Sequence, residues 1–181
     1  SKCTSCNTKE LQENTWGWPL ITQYIAEEFD NNSPIEALID QNLSMLKDYI
    51  SSSLLSSLSD TTLNTLIDTS ILEEIPIGLC NQICEYDEAS VIFDELSEIY
   101  PLITQYKKDS KSYKVNPIIR RCLGSLFSAR RQSRQNDIFQ IAADWHIKRG
   151  KVSLALQFAI SSHSPELITR VIEYYGPHTI T

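Results

Sequence analysis

Glycine is scarce in this sequence. Gly17, Gly78, Gly124, Gly150 and Gly176 are the only five, and they lie far apart. No G-x-x-x-x-G-K-[ST] occurs, so the chain has no loop of backbone N–H groups that could cradle a triphosphate. Hydrolysis by this chain alone is not expected, and it reads as a non-enzyme with no catalytic residues. No apolar run approaches the roughly 20 residues that span a bilayer, and no membrane role is expected. Ser1 to Glu10 is polar and has no apolar signal-peptide core. The five cysteines, Cys3, Cys6, Cys80, Cys84 and Cys122, are an odd number. That suits a reducing compartment better than a disulfide framework, and the expected location is cytoplasmic. The pairs Cys3/Cys6 and Cys80/Cys84 stand far apart without a histidine pair, so no metal site is expected. His146, His163 and His178 are scattered, with no nucleophile arranged beside them in sequence.

Basic residues are rare in the first part of the chain. Residues 1–106 hold 18 acids and 3 bases, whereas residues 107–181 hold 5 acids and 13 bases, so −15 and +8 sum to the net −7. Such a split fits an inter-domain surface, a nucleic-acid contact on the basic half, or two solvated faces of opposite sign. What the chain does have is apolar residues, 41%, enough for a packed core.

Those residues recur mostly at helical spacing. Pro19 to Phe29 reads as a helix with proline in its first turn. Ser33-Pro34 starts a second stretch that runs towards Leu58. It is weakened by Ser51–Ser53 and Ser56-Ser57, because serine competes for backbone hydrogen bonds. Ser59-Asp60 caps a helix to Thr69, Pro76 to Cys84 forms the next, and Asp87 caps a third from Glu88 to Ile99. The period then changes. Leu102 to Tyr106, the turn Lys107–Ser110, and Tyr113 to Val115 read as a hairpin. Asn116-Pro117 opens a helix to about Arg131. Three more helical patterns follow, about Gln135–Arg149, Val152–Ser161 and Pro165–Tyr175, with Gly150 and Gly176 where helix C-caps favour glycine.

Three helices and a hairpin give the order of a winged helix. The expected fold is mainly α: a helical segment (1–58), a winged-helix domain (59–133), and the start of an antiparallel, TPR-like helical-repeat region (134–181). So short an array would leave an apolar end face uncovered. Cys80 and Cys84 share a helix face and suit the core. Trp145 and Phe158 suit a helix–helix core better than a ligand box.

Several segments together resemble one family. They are Trp16-Gly17-Trp18-Pro19, Leu66-Ile67-Asp68-Thr69-Ser70-Ile71-Leu72, Leu79-Cys80, Phe93-Asp94-Glu95-Leu96, and Tyr113 to Arg120 with Leu123. Ala142-Ala143-Asp144-Trp145, Gly150 and Ala155–Ala159 complete the set. In this order, over about residues 15–175, they resemble the large ATP-dependent LuxR-type transcription activators of the maltose-regulon activator class. Those proteins are signal-transduction P-loop ATPases. The resemblance implies the end of a small helical domain, the winged helix and the start of the sensor. It further implies regulation of an ATPase core that lies outside this chain. ATP or ADP would bind in the parent protein, with no cofactor in this chain alone. The implied partners are the parent's other domains, a small-molecule inducer acting through the sensor, and DNA reached only through a C-terminal helix-turn-helix outside this chain.

Two sites follow from the resemblance. Gly17 and Pro19 match a G-x-P element whose proline packs on adenine, although the same residues also describe an ordinary helix start. Asn116 falls where the family often has a histidine that contacts the diphosphate. Asparagine can donate a hydrogen bond but carries no charge, and Asn-Pro is also a common helix start. Two other readings stand beside this one, a winged-helix DNA binder and a helical-repeat protein adaptor. Against the first, the third helix carries Asp87, Glu88, Asp94, Glu95 and Glu98 and no Lys or Arg. For it are Lys107, Lys108, Lys111 and Lys114, with Arg120, Arg121, Arg130, Arg131 and Arg134.

Overall fold

The computed structural model describes residues 12, 15, 16, 18, 19, 22, 23, 43–87, 89–99, 103–106 and 111–175. Helix α1, Leu43–Ser53, runs into a 3-10 turn at Leu55–Ser57. The serines expected to weaken this stretch do so: Ser52, Ser56 and Ser57 hydroxyls donate to the carbonyls of Tyr49, Ser52 and Leu54. Helix α2, Asp60–Thr69, starts where Ser59 Oγ accepts from the Thr62 amide at 3.1 Å. Strand β1, Ile75–Pro76, leads directly into α3, Ile77–Cys84, and then α4, Ala89–Ile99. Strands β2, Ile103–Gln105, and β3, Ser112–Val115, form the wing. The antiparallel sheet has the order β1-β3-β2, with Ile75 opposite Tyr113 and Ile103 opposite Val115.

This α-β-α-α-β-β order is a winged helix. The expected fold class is the one observed. The short strand β1 was not expected, because Ile75-Pro76 reads as the start of a helix. Proline has no N–H for a ladder, so it is confined to a sheet edge. Here β1 is one of the two edge strands, and Pro76 also caps α3.

Helix α5, Pro117–Ser128, ends about three residues earlier than expected, and α6, Gln132–Ile147, begins about three earlier. A tight corner therefore joins them. Helices α7, Val152–Ser161, and α8, Pro165–Tyr175, follow with the expected bounds. Gly150, at φ +67°, closes α6 through the bonds Gly150 N to Ile147 O and Lys151 N to His146 O, both 3.0 Å. These are the two bonds of a Schellman end, and a left-handed residue there favours glycine. Gly176, Glu88, Lys107–Ser110 and the stretch from Tyr24 to Asn42 lie outside the described residues.

One core runs from α1 to α6 around Ile50, Ile75, Leu79, Phe93, Ile118 and Leu123, and a smaller one joins α6, α7 and α8. Helix α6 serves both. Ile138 and Ala142 belong to the first, Ala143 and Ile147 to the second. Phe93 stacks on Tyr113 at 5.3 Å, and Phe127 meets Phe139 edge-on at 5.7 Å. Trp145 and Phe158 pack against the cores, as their helical spacing predicts. Among the described residues, no helix is long and apolar enough to cross a membrane.

Candidate functional site

The junction of β3 and α5 meets the segment around Trp18. Asn116 occupies the N-cap of α5 and is fully buried. Its Oδ1 accepts from the Ile118 amide at 2.9 Å. This is the helix-start role that Asn-Pro suggested. Its Nδ2 donates to the Thr15 carbonyl at 3.0 Å, across 101 residues of sequence. That same carbonyl accepts from the Trp18 amide at 3.1 Å. The Thr22 amide donates to Trp18 O at 2.8 Å, which makes Trp18 the cap and Pro19 the first residue of a helical turn. Thr15 and Thr22 hydroxyls lie 3.0 Å apart. Trp18 packs on the main core and sits 6.3 Å from the Tyr49 ring of α1.

Two of the three proposed nucleotide-site positions therefore fall in one neighbourhood. Pro19 is exposed, one residue after Trp18, and Asn116 is buried against the Thr15 carbonyl. Gly17 lies outside the described residues. Sequence spacing could not have brought these segments together, since the contact joins Thr15 to a helix cap 101 residues on with no shared periodicity.

A second constellation went unnoticed in the sequence. Asp68 of α2 is buried, with its side chain 7% exposed. Arg134 donates to its Oδ2 from both Nε and NH2, at 3.1 and 2.8 Å. Arg130 Nε lies 2.8 Å from Oδ1 as an ion pair without hydrogen-bond alignment. Arg134 also donates to Ile83 O at 2.8 Å, which ties in the end of α3. The signal was a lone carboxylate inside the run Leu66 to Leu72, but nothing in the sequence pairs it with arginines 62 and 66 residues away. Two of the nine cations considered for DNA are thus turned onto this carboxylate. Lys114 lies over the Tyr106 ring at 4.1 Å, and Lys107 and Lys108 lie outside the described residues.

Helix α4, at the position of a recognition helix, keeps Asp94, Glu95 and Glu98 on its surface. The Tyr113 hydroxyl donates to Asp94. Burial and this carboxylate push the tyrosine up to about 12. Cys80 and Cys84 share one face of α3 with their sulfurs 4.0 Å apart, Cys80 fully buried. The neighbouring thiol and burial raise the Cys80 pKa, while burial pushes Cys122 up to about 11. Cys3 and Cys6 lie outside the described residues. Among the described residues, no three His, Cys, Asp or Glu side chains group to hold a metal. An open cleft of about 860 Å³ separates the winged helix from α7, walled by Arg120, Phe127, Phe139, Leu154 and Phe158.

Residues 51–135 match the family described as the MalT winged helix domain. The match runs from α1 to the first turn of α6. The chain is also similar to the HTH-type transcriptional regulator MalT of Vibrio cholerae, 22% identical over 171 residues. That alignment covers 92% of this chain but 19% of the relative, so the chain spans about a fifth of the length of the curated relative it matches.

Proposed function

We propose that this chain is the connecting segment of a nucleotide-dependent, LuxR-type transcription regulator. It would couple a P-loop ATPase core to an effector-sensing array of TPR-like helical repeats. One observation carries the reading: a winged helix with an acidic third helix shares α6 with the helical hairpin that follows it. A DNA reader needs its cations on that third helix. A connector needs what is present instead, a rigid helix that belongs to two cores at once. Exposed Ile160, Ile172 and Tyr174 on the hairpin suit further repeats packed against it.

In the parent protein, Gly17 and Pro19 would meet the adenine of ATP or ADP, and Asn116 would support them. An inducer would act by favouring one of two packings of this segment against the ATPase core. The resting state would hold nucleotide, and only the parent's own helix-turn-helix would read promoters.

The test is nucleotide exchange by the parent protein, with and without inducer. The expected result is bound ADP that an inducer releases for ATP, and an exposed-site substitution such as Pro19→Gly weakens retention. A parent protein that retains no adenine nucleotide contradicts the reading.

A further inference from the structure

We infer that Asn116 is a positioning residue that latches the winged helix to the Thr15–Pro19 turn by gripping the Thr15 carbonyl. The inference rests on the nucleotide-dependent reading for its purpose, but not for its geometry. Asn116 is the single residue between β3 and α5, so any movement of the winged helix as a body carries it along. Its amide is used at both ends: Oδ1 holds the start of α5 and Nδ2 holds Thr15. A carbonyl has two lone pairs, and Thr15 O spends one on Trp18 N and one on Asn116. The turn thus starts from an acceptor whose direction is fixed by the winged helix.

The turn needs such a hold. Trp16 sits at φ +53°, a left-handed conformation that is an outlier for a bulky L-residue and persists only where surroundings impose it. Both Asn116 and Thr15 are fully buried, so pulling them apart leaves the buried Asn116 amide N–H without its acceptor, while Thr15 O keeps the Trp18 amide. The bond is therefore either made or fully released to water, which is the behaviour of a latch. A charged histidine would act on a phosphate directly. The neutral amide acts on the protein's own backbone, and sets where the Pro19 face stands.

Asn116→Ser separates the two ends of this side chain. Serine still caps α5 but is too short to reach Thr15. Hydrogen exchange on this chain, without nucleotide, is expected to quicken at the Trp18 and Thr22 amides by about tenfold, the scale of one lost buried hydrogen bond. Exchange at Ile118 and Arg120, which reports the cap, is expected to hold. A variant that exchanges like the parent at Trp18 and Thr22, or that quickens all four together, overturns the latch. Should Asn116→Ser fail to fold, the unmodified chain decides. Its Asn116 side-chain amide must exchange slowly and show proximity to Thr15 by NMR, and a freely exchanging amide overturns the proposal. Because no nucleotide enters the experiment, a failed latch and a parent that binds no nucleotide are told apart.

Discussion

Asp68 is the residue on which most electrostatic weight falls. Its buried carboxylate meets Arg130 and Arg134, themselves 26% and 32% exposed at the side chain. Removing the charge leaves two guanidinium groups and the Ile83 carbonyl organised around a neutral group. Breaking a fully buried pair costs about 3–5 kcal/mol. Partial exposure of the arginines screens this, so Asp68→Asn is expected to cost about 1–3 kcal/mol in urea denaturation. A change under about 0.5 kcal/mol, the range of an ordinary surface substitution, would show that the cluster is decorative. Glu85 offers the opposite case. It ends α3 at φ +60°, ψ +30°, where an L side chain costs about 1–2 kcal/mol. Its carboxylate is 79% exposed and 3.8 Å from Arg134, a contact worth less than about 1 kcal/mol. Glu85→Gly is therefore expected to raise the melting temperature, and a fall would mean the exposed pair outweighs the strain.

At the scale of elements, α3 and α6 approach through Gly78. A Cβ there would lie 2.6 Å from the tip of the Trp145 indole, over whose ring the Arg149 guanidinium sits at 3.2 Å. Alanine normally improves a helix by about 1 kcal/mol over glycine. Here it must displace a packed ring, and overpacking costs about 1–3 kcal/mol. Gly78→Ala is expected to lower stability and shift Trp145 fluorescence, and a gain in stability would contradict the close packing. Helices α6 and α7 meet through His146, stacked on Phe158 with ring centres 5.5 Å apart. Burial, then the charges of Lys151 and Arg149, hold its pKa below the usual 6.5. The unfolded chain takes up the proton first, so the hairpin's stability is fully present above pH 6.5 and falls as acid is added below it. Thermal melting from pH 8 to pH 5 is expected to show this loss, and His146→Phe to remove that part of it.

Much of this architecture is visible in the residues. Ser59, Asn116-Pro117 and Gly150 mark helix ends because caps are local chemistry, and the structure uses all three as ends. Strand β1 is not visible, since two residues carry no period and proline suggests a helix. The corner between α5 and α6 shifted because Arg130 and Arg131 look helical locally, although α5 ends at Ser128 and α6 starts at Gln132. The site was legible only as two separate segments. Their meeting through Thr15 and Asn116 is a long-range contact that no local rule contains.

For the whole molecule, the two cores are joined by α6, whose residues enter both, and by Phe158 of α7, which packs against both. The charge division supports the same division of labour. The acidic third helix repels phosphates, while the charges of Arg130 and Arg134 are paired with a buried carboxylate. On the proposed reading, the winged helix is a packing element and not a DNA reader. Fluorescence-anisotropy titration of this chain with duplex DNA across a salt series asks this most directly. The account predicts no saturable binding at physiological ionic strength. Tight binding whose logarithm falls steeply with the logarithm of salt would contradict it.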